Sequence, residues 1–513
     1  MSNSRTARLR LRIRDLIPGA ALLALAGCGA AGSGSGLAPE PAGPPSLAER
    51  VDALLAEPPF NGMHWGILVG DAASGATLYA RNPGVHFIPA SNMKLPATAA
   101  ALGLLGPDYR WDTAFYATDA TEEGVLGGDL VLVGSGDPTL GAPFYDPPEA
   151  ALTALVDSLR AAGVLRIEGG LVLDASAWDS ATAPGTWMLE DVAGMAGATG
   201  GVFAVRQGAL EIWIRGASIV GEPATLSWQP WGGRAFVEGR IETTPPGTFP
   251  SVDRAFLPES RRWVVTGSVP TGDSLRVLVP QRDPVRLAWD ALQRALEEGG
   301  VEVGGESRIV WEAGALLEAG CRSATIPSCP AARRVAGIRS PPLREVARLI
   351  LSESHNWSAE QLLRTLGAEH GGEGSWRAGL EAAVAYLEEE VGVSPLDLDV
   401  RDGSGLTANG LLTPRAVVRI LDFAREQSWG AQFRASLAQP DVEDSTLESR
   451  LPGMEGRVFA KTGTIRHVNS LSGYVVTAGG RELVFSILTN GSNLPSSEVR
   501  GRIDRLVREI AEP

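Results

Sequence analysis

The sequence predicts an α/β (α+β) domain interrupted by a large, mainly β insertion. Three observations carry this. Helix-period and strand-period patterns run through both flanks of the chain. Between them, from about residue 111 to 335, short β-like runs alternate with Gly/Pro/Asp turns. The chain's only two lysines, Lys94 and Lys461, fall one in each flank, against 43 arginines.

The first 27 residues read as a targeting segment. Arg5, Arg8, Arg10, Arg12 and Arg14 form a basic start, and Leu16 to Leu25 is an apolar run too short to span a bilayer. Leu25-Ala26-Gly27-Cys28 then resembles a bacterial lipobox. That resemblance implies cleavage before Cys28 and lipidation of its thiol. The expected location is the bacterial cell envelope, as an exported, periplasm-facing lipoprotein anchored to a membrane through Cys28. The stretch 28–46 is Gly/Ser-rich and then Pro-rich, and reads as a flexible linker.

A short amphipathic helix is expected over 47–55, capped by Ser46. Two strands follow, His64–Asp71 and Thr77–Asn82. Ala90–Leu105 reads as a helix, with Pro96 tolerated because it lies in the first turn. One helix, about Glu149–Ala162, stands out inside the insertion. Helical spacing returns at Leu343, Val346, Ala347 and Ile350, and again at Ala359, Leu362, Leu363 and Leu366. Gly453–Gly463 leads Lys461 onto a strand. Leu471–Thr477 and Leu483–Thr489 read as paired strands across Gly479-Gly480. Val499, Ile503, Leu506, Val507 and Ile510 mark a closing helix. Residues 47–110 plus 336–513 amount to about 240, enough for one domain, with 111–335 inserted.

Composition excludes several function classes. Apolar content is 44% and charged content 20%, as in ordinary globular chains. Formal net charge is -15, and the first 27 residues carry five arginines and one aspartate, so the remainder is more acidic still. No nucleic-acid footprint is present. Three cysteines and five histidines show no metal-ligand spacing, and no cofactor motif is found. Cys321 and Cys329 flank a short loop; a disulfide is plausible in an oxidising compartment, with two buried thiols as the alternative. No G-x-S-x-G elbow occurs. Asp402-Gly403-Ser404-Gly405 reads as a structural turn near a cleft.

The two lysines matter because arginine cannot lose its proton at working pH, whereas a desolvated lysine can. Lys94 lies three residues after Ser91, on one face of a helix N-terminus. Lys461 opens Lys461-Thr462-Gly463, and Ser354-His355-Asn356 lies between the motifs, in an interhelical loop. Singly each motif is weak. In this order they resemble the active site of penicillin-recognising serine enzymes. The longer phrases Pro89-Ala90-Ser91-Asn92-Met93-Lys94, Gly134-Ser135-Gly136-Asp137-Pro138, Ala359-Glu360-Gln361-Leu362-Leu363, Asp402-Gly403-Ser404-Gly405-Leu406 and Ser470-Leu471-Ser472-Gly473-Tyr474 are similar to the D-alanyl-D-alanine carboxypeptidase/endopeptidase family, the low-molecular-mass class C penicillin-binding proteins.

That resemblance implies a penicillin-binding-protein/β-lactamase-like transpeptidase fold. It implies hydrolysis of peptidoglycan stem peptides ending in D-Ala-D-Ala through an acyl-enzyme on Ser91, with β-lactam antibiotics as covalent inhibitors. Ser91 would be the nucleophile and Lys94 its base. Ser354 would relay a proton, and Asn356 would orient Lys94 and the substrate amide. Lys461 would hold the Lys94 pKa down, and with Thr462, Gly463 and Thr464 it would bind substrate. Two departures stand out. His355 occupies a position where the family usually has Asp or Asn, and the Asn-rich pattern expected after Trp187-Met188-Leu189-Glu190-Asp191 is missing. A β-lactamase is the enzyme alternative, against which the size of the insertion argues. A peptidoglycan-binding scaffold is the non-enzyme alternative, against which the intact motifs argue.

Overall fold

Residues 45–230, 237–257, 262–312 and 332–512 are described by a computed structural model. The targeting segment, Cys28, Cys321 and Cys329 lie outside the described residues. From Ser46 onward the chain packs as one unit, and none of its described helices is long and apolar enough to cross a membrane.

The first and last parts of the chain share one antiparallel sheet. Its strands run in the order Thr77–Arg81, His64–Asp71, Glu482–Asn490, Val468–Val476, Val458–Ile465. His64 pairs with Asn490 and Asp71 with Leu483. Both faces are covered, which is why the inner strands read as nearly continuous apolar runs rather than strict alternation. On one face lie the helices Leu47–Ala56 and Ser496–Ala511, packing Val51, Leu54, Ile503 and Leu506 against Ile67, Val69 and Ile487. Ser46 begins the first of these with a capping box to Glu49. On the other face lie Lys94–Leu104, Leu343–Leu351, Asn356–His370, Trp376–Glu389 and Pro414–Glu426. Leu95, Leu102, Val346, Leu363, Val417 and Leu421 join Tyr474 and Val484 in that core.

The chain leaves this body along Asp112–Ala117 and returns along Arg333–Arg339, two strands that pair with each other. They belong to a mixed five-stranded sheet completed by Leu130–Val133, Leu171–Asp174 and Arg308–Val310. Two small three-stranded sheets, built from residues 209–280, pack through Ile212, Ile214, Trp263 and Val265. The segment is less purely β than its sequence suggests. Besides Ala150–Ala161 it contains a second helix, Pro284–Glu298, capped by Asp283 with Pro284 in its first turn. Its stripe of Val285, Ala288, Trp289, Leu292 and Leu296 faces the first helix and the mixed sheet. The turn-rich surroundings hide that spacing in the sequence.

One fully buried cation pins the segment to the catalytic helices. Arg364 lies over the rings of Trp178 (4.9 Å) and Trp376 (4.4 Å), and donates to the Asp179 carboxylate at 2.7 Å and the Gly374 carbonyl at 3.0 Å.

Candidate active site

Ser91 sits in a tight 3₁₀ turn, Ala90–Met93, that runs straight into the Lys94–Leu104 helix. The sequence predicts one continuous helix from Ala90; the first turn is instead 3₁₀, because Ala90 adopts a left-handed backbone (φ +48°) and bends the chain sharply. The bend brings the turn against two other segments. A Cβ at Gly405 would lie 1.9 Å from the Ala90 carbonyl oxygen, so only glycine fits there. Asn92 donates to the Lys461 carbonyl at 3.0 Å, and Ser470 donates to the Pro89 carbonyl at 2.8 Å. These bonds lock the Ser91 turn to the edge strand Val458–Ile465 and to its neighbour Val468–Val476.

Lys94 is fully buried. Its Nζ lies 2.9 Å from Ser91 Oγ, 2.7 Å from Asn356 Oδ1 and 2.7 Å from the Ser404 carbonyl oxygen. The Asn356 amide is fixed in orientation, because its Nδ2 donates to the Ala196 carbonyl at 3.0 Å. Two of the three partners of Nζ can therefore only accept. A neutral amine satisfies them with its two N–H groups and turns its lone pair toward the Ser91 hydroxyl.

Burial drives the Lys94 pKa down to about 7, opposed by the charges of Asp402 and Glu360. The sequence reading invokes both desolvation and Lys461; burial is the cause that lowers the Lys94 pKa here. Lys461, equally buried, is itself held well below its usual range, by desolvation first and by Lys94 second. Its Nζ donates to the Thr462 carbonyl at 3.0 Å.

The second motif forms the start of the Asn356–His370 helix. Ser354 lies in the preceding loop with a left-handed backbone (φ +66°), and its side chain makes no hydrogen bond among the described residues. His355 is the helix N-cap: Nδ1 accepts from the Ser358 N–H and lies 2.8 Å from Ser358 Oγ. Asp and Asn are strong caps for the same reason, so the family's usual residue and this one share a structural job. Burial holds the His355 pKa down to about 4, with Lys94 adding to the effect, so the ring stays neutral.

On the edge strand, Thr462 donates to Thr446 Oγ1 at 2.9 Å, and Thr464 is exposed. Gly463 faces the nucleophile: a Cβ there would meet Ser470 Oγ at 2.2 Å, the Pro89 carbonyl at 2.8 Å and the Ser91 nitrogen at 3.0 Å. Ser91 and Asn356 are thus joined through Lys94 Nζ, and Lys461 is tied to the same turn through its carbonyl, which accepts from Asn92.

Sequence reasoning assigned no role to Glu360, Asp402 or the Ser404 carbonyl. Glu360 is fully buried and accepts from Trp376 Nε1, Gly403 N and Ser404 N. Asp402 accepts from Trp187 Nε1, Gly405 N and Thr407 N. The Ser404 side chain is no nucleophile: it is buried and accepts from Leu406 N. An acid inside the apolar stripe Ala359, Leu362, Leu363 was the available signal.

Comparison with known proteins agrees with this arrangement. The chain is 33% identical over 467 residues to the D-alanyl-D-alanine carboxypeptidase of Actinomadura sp. (strain R39), spanning 88% of this chain and 82% of that one. It is 23% identical over 481 residues to the penicillin-sensitive carboxypeptidase A of Dictyostelium discoideum, covering 87% of each. The crystal structure of penicillin binding protein 4 (dacB) from Haemophilus influenzae superposes with a TM-score of 0.76, at 20% identity, over 90% of this chain and 99% of that one. That overlay carries the fold, including the segment between the first two motifs. Residues 47–510 match the D-Ala-D-Ala carboxypeptidase 3 (S13) family, to which this chain therefore belongs.

Proposed function

We propose that this chain is a serine-type D-Ala-D-Ala carboxypeptidase/endopeptidase that works on peptidoglycan stem peptides and is trapped covalently by β-lactams. The observation that carries it is the lone-pair geometry of Lys94. A serine hydroxyl is a poor nucleophile until a base takes its proton. At 2.9 Å, with its N–H groups engaged elsewhere, the Lys94 amine is placed to be that base.

Ser91 attacks the carbonyl between the two D-alanines as Lys94 takes its proton. Backbone N–H groups of Ser91 and Thr464 receive the developing oxyanion, each worth about 3–4 kcal/mol. The proton passes through Ser354 to the leaving amine, the C–N bond breaks, and water later hydrolyses the ester. Lys461 and Thr462 take the substrate's terminal carboxylate. That anion would favour the charged form of Lys461, which burial and Lys94 disfavour.

Under this reading the chain is exported and held to a membrane by lipid on Cys28. Its basic, apolar, Cys-terminated leader supports that. Cys28→Ser should move the protein from membrane to soluble fractions, and unchanged fractionation would refute the anchor.

Labelling by a fluorescent penicillin tests the chemistry. Wild type is expected to label and Ser91→Ala to remain dark. Label that survives in Ser91→Ala would reject Ser91, and absent label on folded wild type would favour a scaffold. Release of the label within seconds would favour the β-lactamase.

A further inference from the structure

Behind Lys94, on the side away from Ser91, two buried carboxylates share one turn. Glu360 and Asp402 accept six N–H bonds between them, five of those donors at 2.8–2.9 Å and the sixth at 3.1 Å. Two of the donors, Gly403 N and Ser404 N, flank the peptide leading to the carbonyl that contacts Lys94 Nζ. Neither acid touches the cleft, and neither has a direct cation partner among the described residues.

We propose that Glu360 and Asp402 are positioning residues: they clamp the 402–407 turn so that the Ser404 carbonyl aims Lys94, and they supply the counter-charge that lets this buried lysine accept and return the Ser91 proton. The proposal rests on Lys94 being the base. Without it the acids would still hold the turn, but their charge would serve no reaction.

The physical argument is one of cost. A lone ammonium cannot form in a dry interior without a compensating anion. During acylation Lys94 must become that ammonium while Lys461 lies close by. The other titratable or charged groups around it are His355, neutral at the helix cap, and Arg364, one turn beyond Glu360 on the same helix. All three oppose a charge on Lys94 or are indifferent to it. Only Glu360 and Asp402 favour it. Burial pushes both carboxyls up, and Asp402 adds to this at Glu360; the six N–H donors, none of which can accept a carboxyl proton, pull the other way and favour the ionised pair.

The chain's two lysines make a direct test available. Lysine labelled with ¹³C at Cε gives two resonances in the full-length protein, assigned with Lys461→Arg. The Lys94 midpoint is expected to fall by about one pH unit or more in Glu360→Gln, where one anion is lost, and to stay near wild type in Glu360→Asp. In penicillin acylation, the acid limb should move to lower pH by a matching amount. A folded Glu360→Gln whose Lys94 midpoint is unchanged, with acylation merely slowed at every pH, would overturn the proposal and leave a structural clamp. Should Glu360→Gln not fold, Asp402→Asn gives the same reading from the other carboxylate. Failure of the functional reading is separate: wild type would then not label, whatever Lys94 titrates at.

Discussion

A single methyl group at position 463 reaches the nucleophile without removing any catalytic side chain. In Gly463→Ala the new Cβ would sit 2.2 Å from Ser470 Oγ, 2.8 Å from the Pro89 carbonyl and 3.0 Å from the Ser91 nitrogen. The hydroxyl can rotate away, but it then gives up its 2.8 Å bond to Pro89, worth about 1 kcal/mol. The two backbone atoms cannot rotate, so the edge strand must retreat from the Ser91 turn by a few tenths of an ångström. Overpacking of this kind costs about 1–3 kcal/mol of stability. The larger effect is on the oxyanion hole, which needs N–H groups from both sides of that contact. Misplacement by 1 Å costs about 10²-fold, so for a shift of a few tenths of an ångström a loss of about 5- to 10-fold in acylation is expected. Stopped-flow labelling with fluorescent penicillin gives the rate, and a thermal melt gives the stability. Acylation within about twofold of wild type would show that the strand's close approach does not set the nucleophile, and the argument from Gly463 would fail.

Acylation should fall off below about pH 7, where Lys94 takes up a proton; a rate flat from pH 5 to 8 would contradict this. Because the folded pKa of Lys94 is lowered, the unfolded chain binds the extra proton between about 7 and 10.5, so stability rises with pH across that window, an effect Lys94→Met should diminish in urea titrations. His355→Ala should cost about 0.5–2 kcal/mol by removing the helix cap, while His355→Asn retains both stability and acylation; equal losses in the two variants would assign the ring a role beyond capping. Arg364→Ala should destabilise by about 3 kcal/mol or more, read as a lowered melting temperature, since it strips Asp179 and two tryptophans of a fully buried partner.

What could be read from the sequence tracks local physics. The Ser46 cap, the paired strands near the C-terminus and the closing helix all declare themselves within a few residues. The first and third motifs were legible because lysine is so rare here that its two survivors mark their own neighbourhoods, and Ser354-His355-Asn356 was legible from its place between them. The Pro284–Glu298 helix was missed because proline and turn residues around it mimic a β-rich texture, though Asp283-Pro284 is a strong start signal. The partners of Lys94 were illegible for another reason. Ser404 acts through its backbone carbonyl, which any residue possesses, and Ala196 likewise fixes Asn356 through main chain alone. The role of His355 became clear only with the helix start in place, since a capping side chain acts only at the residue where the helix begins.

The pairing of His64 with Asn490 has a consequence for how the chain is made. A strand near the beginning must wait for one synthesised more than four hundred residues later. Closing a loop of that length costs about 5 kcal/mol of chain entropy. The pairing of Asp112 with Arg339 offers a shortcut. Once the intervening segment has folded on itself, the effective loop is roughly halved. By the logarithmic law this recovers only about 0.6 kcal/mol, so the advantage lies in search time rather than stability. A chain synthesised from its N-terminus would then complete its middle first and its reactive centre last. Ser91 would stay without a functioning base until the final strands arrive.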